Sequence, residues 1–357
     1  MKKLLTLSFC ISIAIIASSQ TKKLHHSINS ERTNSINPKL SADGKYMLYS
    51  SDLGDSNKEL NFCITKYAGN KRWSSPDLAS DALNFGKVNS FGGYFISYDD
   101  SKILFSSSRS RGVGGFDIWM ADKNGDELGT PTNLGKPFNS EEHEGDPSLS
   151  PDENELYFCK CKSMSTTTAS GCKIVIATRK GNGYGAPVDL PANINTGNSM
   201  SPVILADGKT LVFASDKMGG KGGLDLFLSK KQDDDEWTDP IPLEYLNTQA
   251  DERYITIPAS GDIAYHSKEM DGLYSIVKSI IPENLRQDNL MWIKGNIELK
   301  EGLKPVVQVT NLSNKNSANW NIDNDGNYSL FLPKGSQYDV SIRDLNGKHW
   351  YASYNYD

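Results

Sequence analysis

The chain has 357 residues, with 38 Lys and Arg set against 44 Asp and Glu for a formal net charge of −6. This acidic balance excludes a sequence-independent grip on nucleic acid, which needs a basic face to displace counterions. Past the first 19 residues no apolar run approaches membrane-spanning length.

Residues 1–19 read as a secretory signal peptide. Lys2 and Lys3 precede an apolar stretch from Leu4 to Ala17, and the small residues Ala17, Ser18 and Ser19 suit cleavage before Gln20. Cys10 follows Phe9 inside the apolar core, where a lipoprotein signal needs a small residue. Cleavage removes two lysines and no acids, leaving 36 basic and 44 acidic side chains and a net charge of about −8. The expectation is an exported protein, periplasmic or associated with an outer membrane.

A unit then recurs through residues 38–64, 92–120, 147–176, 198–229 and, more weakly, 254–276. Each opens on a short alternating run and turns through Asp43-Gly44-Lys45, Asp99-Asp100, Asp152-Glu153, Asp207-Gly208-Lys209 or Ser260-Gly261-Asp262. An apolar strand follows, as in Leu211 to Ala214, and after a loop comes another such as Leu224 to Leu228.

Two further markers keep the same period. Pro76, Pro131, Pro187 and Pro240 fall 55, 56 and 53 residues apart, and Phe138-Asn139-Ser140, Ile194-Asn195-Thr196 and Leu246-Asn247-Thr248 close successive units. A period near 50 with about four short strands per unit predicts an all-β fold, a β-propeller over residues 20–285 with five repeats visible and five or six blades. Ile28-Asn29-Ser30 repeats the closing signature before the first full unit, so the N-terminal segment is expected to complete the last blade and remove an exposed edge.

The mature chain keeps Cys63, Cys159, Cys161 and Cys172. Cys161 and Cys172 flank the polar insertion from Lys162 to Gly171 and are the candidate disulfide, worth about 2–3 kcal/mol through loop closure. A metal reading of Cys-x-Cys lacks a nearby His and a fourth ligand. Alignment of the units makes Cys159 and Cys63 core residues, and packing stays open beside the disulfide.

The loops around Arg109 and Arg111, and around Lys217 and Lys221, are rich in glycine and basic. They lack the Ser or Thr after Lys that a P-loop needs, and a strand rather than a helix follows each. They read as wide hairpin connections on one rim, with a partner-binding role as the functional alternative. Glu144, Asp146, Asp251 and Glu252 precede blade strands, where a central channel would gather acids, and they complete the candidate partner-binding rim. No His pair has metal-ligand spacing and no nucleophile elbow occurs, so no catalytic, metal or cofactor residue is assigned.

After a polar linker at residues 282–288, residues 290–357 alternate as a small β-sandwich. Asn321, Asp323, Asp325 and Gly326 resemble the start of a calcium loop, but its twelfth position is Leu332 rather than Glu, which leaves a turn.

The units built on PKLSADGKYMLYSSD and SPVILADGKTLVFASD, with GGFDIW and GGLDLF, resemble the WD-like propeller repeats of the Tol translocation protein and of OmpA-family envelope proteins. The tail, with Lys294-Gly295-Asn296-Ile297, Asp325-Gly326-Asn327-Tyr328 and Leu332-Pro333-Lys334-Gly335, resembles the carboxypeptidase regulatory-like domain, which is non-catalytic. The order is similar to that of PorE-type proteins associated with type IX secretion. Those also carry helical repeats before the propeller and a peptidoglycan-binding OmpA-like domain after the sandwich. Neither is found in the present residues, so wall anchoring is not carried over.

The resemblance implies a non-enzymatic envelope protein whose propeller docks envelope or secretion-system proteins, in a secretion or motility assembly. The alternatives are a glycan- or peptide-binding module and a propeller hydrolase with channel-lining acids, since fold alone accommodates all three.

Overall fold

A computed structural model describes residues 21–357 apart from 54–58, 71, 85–92, 166, 182, 218, 300–304, 324, 345–353 and 357. The signal-peptide reading, Cys10 included, lies outside the described residues. No α-helix occurs among those described; one 3₁₀ turn, Glu283–Leu285, sits in the linker.

Five antiparallel sheets form a five-bladed propeller, which settles the blade count. Blade 1 runs from its inner strand Ser35–Leu40 through Tyr46–Ser51 to Asn61–Gly69, where Arg72–Trp73 and Asp77–Leu78 share the outer edge. Blade 2 repeats this with Tyr94–Ile96, Lys102–Ser107 and Asp117–Asn124, and blade 3 with His143–Leu149, Glu155–Cys161 and Lys173–Lys180. Blade 4 uses Ser199–Ile204, Thr210–Ser215 and Asp225–Lys230; blade 5 uses Ile255–Thr256, Ile263–Met270 and Leu273–Ile280. The recurring prolines now have a cause. Pro76 falls between the two outer pieces of blade 1, where a residue without an N–H interrupts an edge strand at no cost to the ladder.

The ring closes through the N-terminus, as the repeated signature foretells: Lys22 pairs with Lys278 and Lys23 with Val277 on blade 5. Each seam between blades holds apolar side chains. Leu48, Phe62 and Leu83 of blade 1 meet Tyr94, Phe105 and Trp119 of blade 2, and Ile276 of blade 5 meets Met47 and Tyr49 of blade 1. Such burial, at about 25 cal/mol per Å², is the main stabilising term, and no blade supplies it alone.

The asparagine of the closing signature is a clamp. Asn139 Oδ1 accepts the Ile118 N–H at 2.8 Å while its Nδ2 donates to Ile118 O at 2.9 Å. Asn84, Asn195 and Asn247 do the same to Phe62, Ile174 and Leu226. Asn29 grips Ile276 with two bonds of 2.7 Å. A side-chain amide thus replaces a strand partner at one point of each third strand. Asn247→Ala strands the buried Leu226 N–H, while the Leu226 C=O keeps the Leu243 N–H at 2.8 Å, and is expected to cost about 1–3 kcal/mol, read by urea denaturation. A loss below 1 kcal/mol would reduce the motif to a turn signal.

His266 on blade 5 is 4% exposed, with Nε2 3.0 Å from Ser279 Oγ, which also meets Thr21 Oγ1 of the closing segment at 2.8 Å. Burial lowers its pKa from 6.5 to about 4. The neutral ring therefore stabilises the fold fully above the unfolded value of 6.5, and this contribution, about 3 kcal/mol, fades as pH falls through 4. Melting temperature is expected to fall steeply across that window and to fall less in His266→Gln; equal slopes would discard His266 as the acid-labile group.

The C-terminal residues form two sheets, Leu290–Asn296 paired with Asn327–Pro333, and a four-stranded sheet of Ser317–Trp320, Pro305–Asn311, Tyr338–Asp344 and Tyr354–Tyr356. They pack on the propeller face that carries the Asp-Gly turns. Phe331 meets Tyr98 edge to face at 5.5 Å between centroids and stacks on Trp292. Leu330, Phe331 and Leu332 share one apolar cluster with Ala42, Tyr98, Leu149 and Ala206, contributed by four blades.

Candidate functional site

The inner strands of blades 1, 3 and 4 each break register at an X-Pro step: Asn37-Pro38, Asp146-Pro147 and Ser201-Pro202. A residue before proline normally lies in the extended region. Here Asn37, Asp146 and Ser201 have φ of 53°, 49° and 51°, and Gly93 in blade 2 has 70°. Strained backbone repeated at one position of several blades marks a place where side-chain direction matters more than local comfort.

That place is the central channel. Asp146 lies across it and accepts from Ser201 N at 3.1 Å, Ser201 Oγ at 2.9 Å and Arg253 NH2 at 3.3 Å. The side chains of Arg253 and Asp146 are only 5% and 6% exposed. The Arg253 guanidinium also stacks on Tyr254, 4.6 Å from the ring centroid. On the blade 2 side a Cβ at Gly93 would fall 2.1 Å from Asp146 Oδ1, so glycine there makes room for the carboxylate. Lys39 donates to Ile255 O at 3.1 Å nearby; burial, reinforced by the Arg253 charge and opposed by Asp146, brings its pKa down to about 8. Three neighbouring blades are thus tied at the axis by one buried ion pair.

Glu144 and Glu252 of the expected rim are also internal, which corrects the surface role given to them and to Asp146. Glu144 accepts from Ser140 N at 3.1 Å and from Ser140 Oγ, and Glu252 does the same with Thr248. Burial is the first cause raising both carboxyls, with Asp117 adding to Glu144, and Asp225 and Asp251 to Glu252. Asp251 stays exposed and accepts the Leu224 N–H at 2.8 Å.

The Gly-rich loops wrap a carboxylate of their own chain. Asp117 accepts the N–H groups of Val113 and Gly114, and Asp225 accepts that of Gly222 at 3.0 Å. A Cβ at Gly112 or Gly220 would sit 2.4 or 1.9 Å from these aspartates. Convergent amides make an anion cradle, and here the aspartate fills it.

Arg109 and Lys217 brace the same loops from inside. Arg109 lies over Phe105 and Trp119 and donates to Ala82 O and Leu83 O, whereas Lys217 donates to Asn193 O. Both reach the connector leading in from the preceding blade, so neither is a free rim cation. Arg111 is exposed, at φ 73°, and Lys221 is exposed while pairing with Glu244 at 2.7 Å. Val113 at 41% exposure joins them on the open face.

Cys161 and Cys172 are bonded, at the base of the hairpin Ser163–Met164 and Ala169–Ser170. Cys63 and Cys159 are free and buried. Asp323 accepts the N–H groups of Asp325 and Asn327, the pattern of a turn. No group of three or more metal-ligating side chains occurs among the described residues. A cleft of about 550 Å³ lies between blades 2 and 3 and the C-terminal sheets, lined by Lys102, Lys123, Glu153, Arg179 and Asn321 among others. Its lysines are committed: Lys102 pairs with Glu153 and Lys123 with Asp100.

No helix among the described residues is long and apolar enough to cross a membrane. No protein-family model matches the chain, and no curated protein matches it significantly. The chain is similar to several solved structures. TolB from Acinetobacter baumannii is 14% identical over 70% of this chain and 55% of that one, with a TM-score of 0.43. A putative TolB from Agrobacterium tumefaciens is 16% identical over 84% and 90%, at 0.42. The α-L-arabinofuranosidase PaAbf62A from Podospora anserina is 10% identical over 74% and 97%, at 0.46. The chain spans about half the length of the first of these.

Proposed function

We propose that this is a non-enzymatic envelope scaffold that docks other proteins on the propeller face opposite the C-terminal sheets, within a secretion or motility assembly. The observation that carries this reading is the closed axis. The acid at the channel centre is neutralised by Arg253, and the other strand-entrance glutamates are tied into turns. A hydrolase would need two carboxylates about 5–10 Å apart with room for substrate between them. The open face instead offers rigidly held loops, so binding there loses little conformational entropy.

The test is a crosslinking capture from the host envelope with the tagged mature protein, beside Arg111→Glu/Lys221→Glu. Both side chains are exposed, and Lys221 is held only at Glu244, by its carbonyl and its carboxylate. A defined set of envelope proteins, retained by the wild type and reduced at least about tenfold by the double variant, is the expected result. Equal capture by both would move docking off this face, and hydrolysis of a glycan by the purified chain would replace the scaffold reading.

A further inference from the structure

The bonded pair Cys161–Cys172 has a third sulfur beside it. Cys159 and Cys161 stand two residues apart on one strand, so their side chains leave the same face. Cys159 Sγ lies 3.8 Å from Cys161 Sγ, and its S–H is directed at Asp146 Oδ2, 3.6 Å away. The disulfide, a buried thiol and the carboxylate of the axial ion pair are therefore contiguous.

We propose that Cys159 is an internal exchange thiol for the Cys161–Cys172 disulfide, and that Asp146 is the lock on that exchange. In the step, the Cys159 thiolate attacks Cys161 Sγ. A Cys159–Cys161 bond forms as the Cys161–Cys172 bond breaks, and the electron pair leaves on Cys172 Sγ, which takes up the proton given by Cys159. No oxidant or reductant is consumed, and one free thiol exists in this trio before and after.

Geometry selects the product. Residue 159 pairs with Ile174 across the strands, which places Cys172 on the diagonal. Diagonal Cα atoms are about 7–8 Å apart, beyond the reach of a disulfide without backbone movement. Residues i and i+2 of a strand are about 6.7 Å apart, at the upper end of that reach. Exchange therefore runs to Cys159–Cys161 when the strand yields slightly, and it releases Cys172. Its consequence is to unstaple the hairpin at residues 163–170 while the count of free thiols stays constant.

The lock is electrostatic. Burial first, then the negative charge of Asp146, hold the Cys159 proton in place, and Arg253 opposes them. The charged and titratable groups facing this thiol come from three blades: Asp146 from blade 3, Arg253 and Tyr254 from blade 5, and Lys39 of blade 1 through its coupling to Asp146 and Arg253. Removing the Asp146 charge leaves Arg253 to favour the thiolate.

The experiment pulses the folded, non-reduced protein with N-ethylmaleimide from neutral to alkaline pH and maps the labelled cysteine by mass spectrometry. Wild type, Asp146→Asn and Cys159→Ser are compared. In the wild type, Cys172 labelling is expected to appear and to rise about tenfold per pH unit with the thiolate fraction. Asp146→Asn is expected to raise it at least about tenfold at neutral pH. Cys159→Ser is expected to leave Cys172 unlabelled throughout. Label confined to Cys159 across the whole series, or Cys172 labelled equally in Cys159→Ser, overturns the proposal. Should Asp146→Asn fail to fold, the wild-type series against Cys159→Ser decides alone.

Discussion

Arg253→Ala is expected to destabilise the protein by about 3–5 kcal/mol, because it leaves the Asp146 carboxylate charged, buried and without its cation at the propeller axis. The effect reaches past one contact. Asp146 also holds Ser201 of blade 4 and fills the space that Gly93 of blade 2 leaves open. Urea denaturation should show the midpoint falling while the m-value holds. The paired replacement Asp146→Leu/Arg253→Met removes both charges together and is expected to recover most of the loss, since a well-packed apolar pair is often as stable as a buried ion pair. A single variant losing under 1 kcal/mol would mean that water reaches the pair, and the closed-axis argument would fall with it.

Phe331→Ala carries the second large expectation, a loss of about 3–5 kcal/mol. Phe331 is 3% exposed, lies against Tyr98 at the turn of blade 2 and stacks on Trp292 of its own sheet, so its removal opens a cavity between the propeller and the C-terminal sheets. The loss should localise. Limited proteolysis is expected to cut within residues 282–288 faster in the variant, while the clamped third strands of the propeller keep their amide protection. Equal cleavage rates would show that the polar contacts suffice to hold the junction. Those contacts include Asn154 Nδ2 to Asn319 O at 3.1 Å, Asn321 Nδ2 to Glu153 Oε2 at 2.7 Å and the Asp288 N–H to Asp207 Oδ2 at 3.3 Å.

The propeller was legible in the sequence because it is written several times over. The Asp-Gly turns, the prolines at the broken outer strands and the closing asparagines recur at one period, and even the ring closure left its mark at Asn29. The site was much less legible. Asp146 stood out as an acid at a strand entrance, but nothing local showed that the X-Pro step would turn it onto the axis. Its partner Arg253 lies 107 residues away in a blade that lacks that proline. The Gly-rich loops read as wide hairpin connections, but an amide cradle looks alike in sequence whatever fills it, so that their N–H groups close on the chain's own Asp117 and Asp225 was not legible. Arg109 and Lys217 read as free cations because their acceptors are backbone carbonyls of a preceding connector, which composition cannot reveal. One signal was present and overlooked. The aspartate of Gly-Gly-x-Asp recurs in blades 2 and 4 and directly follows each loop, where an internal anion would be expected.

The Asn29 clamp also sets an order of events in time. Its partner Ile276 lies 247 residues further along the chain. A ribosome finishes the N-terminal segment first, yet that segment has no strand to join until the third strand of blade 5 has been made. The earliest residues of the propeller are thus the last to be captured, and the four intervening blades must wait side by side as an open arc. Non-local pairing of this span is intrinsically slow. Until it happens, the outer face of Leu273–Ile280 is an unpaired edge open to a second molecule. The step most exposed to misassembly is therefore the final one, the meeting of the chain's beginning with the propeller's end.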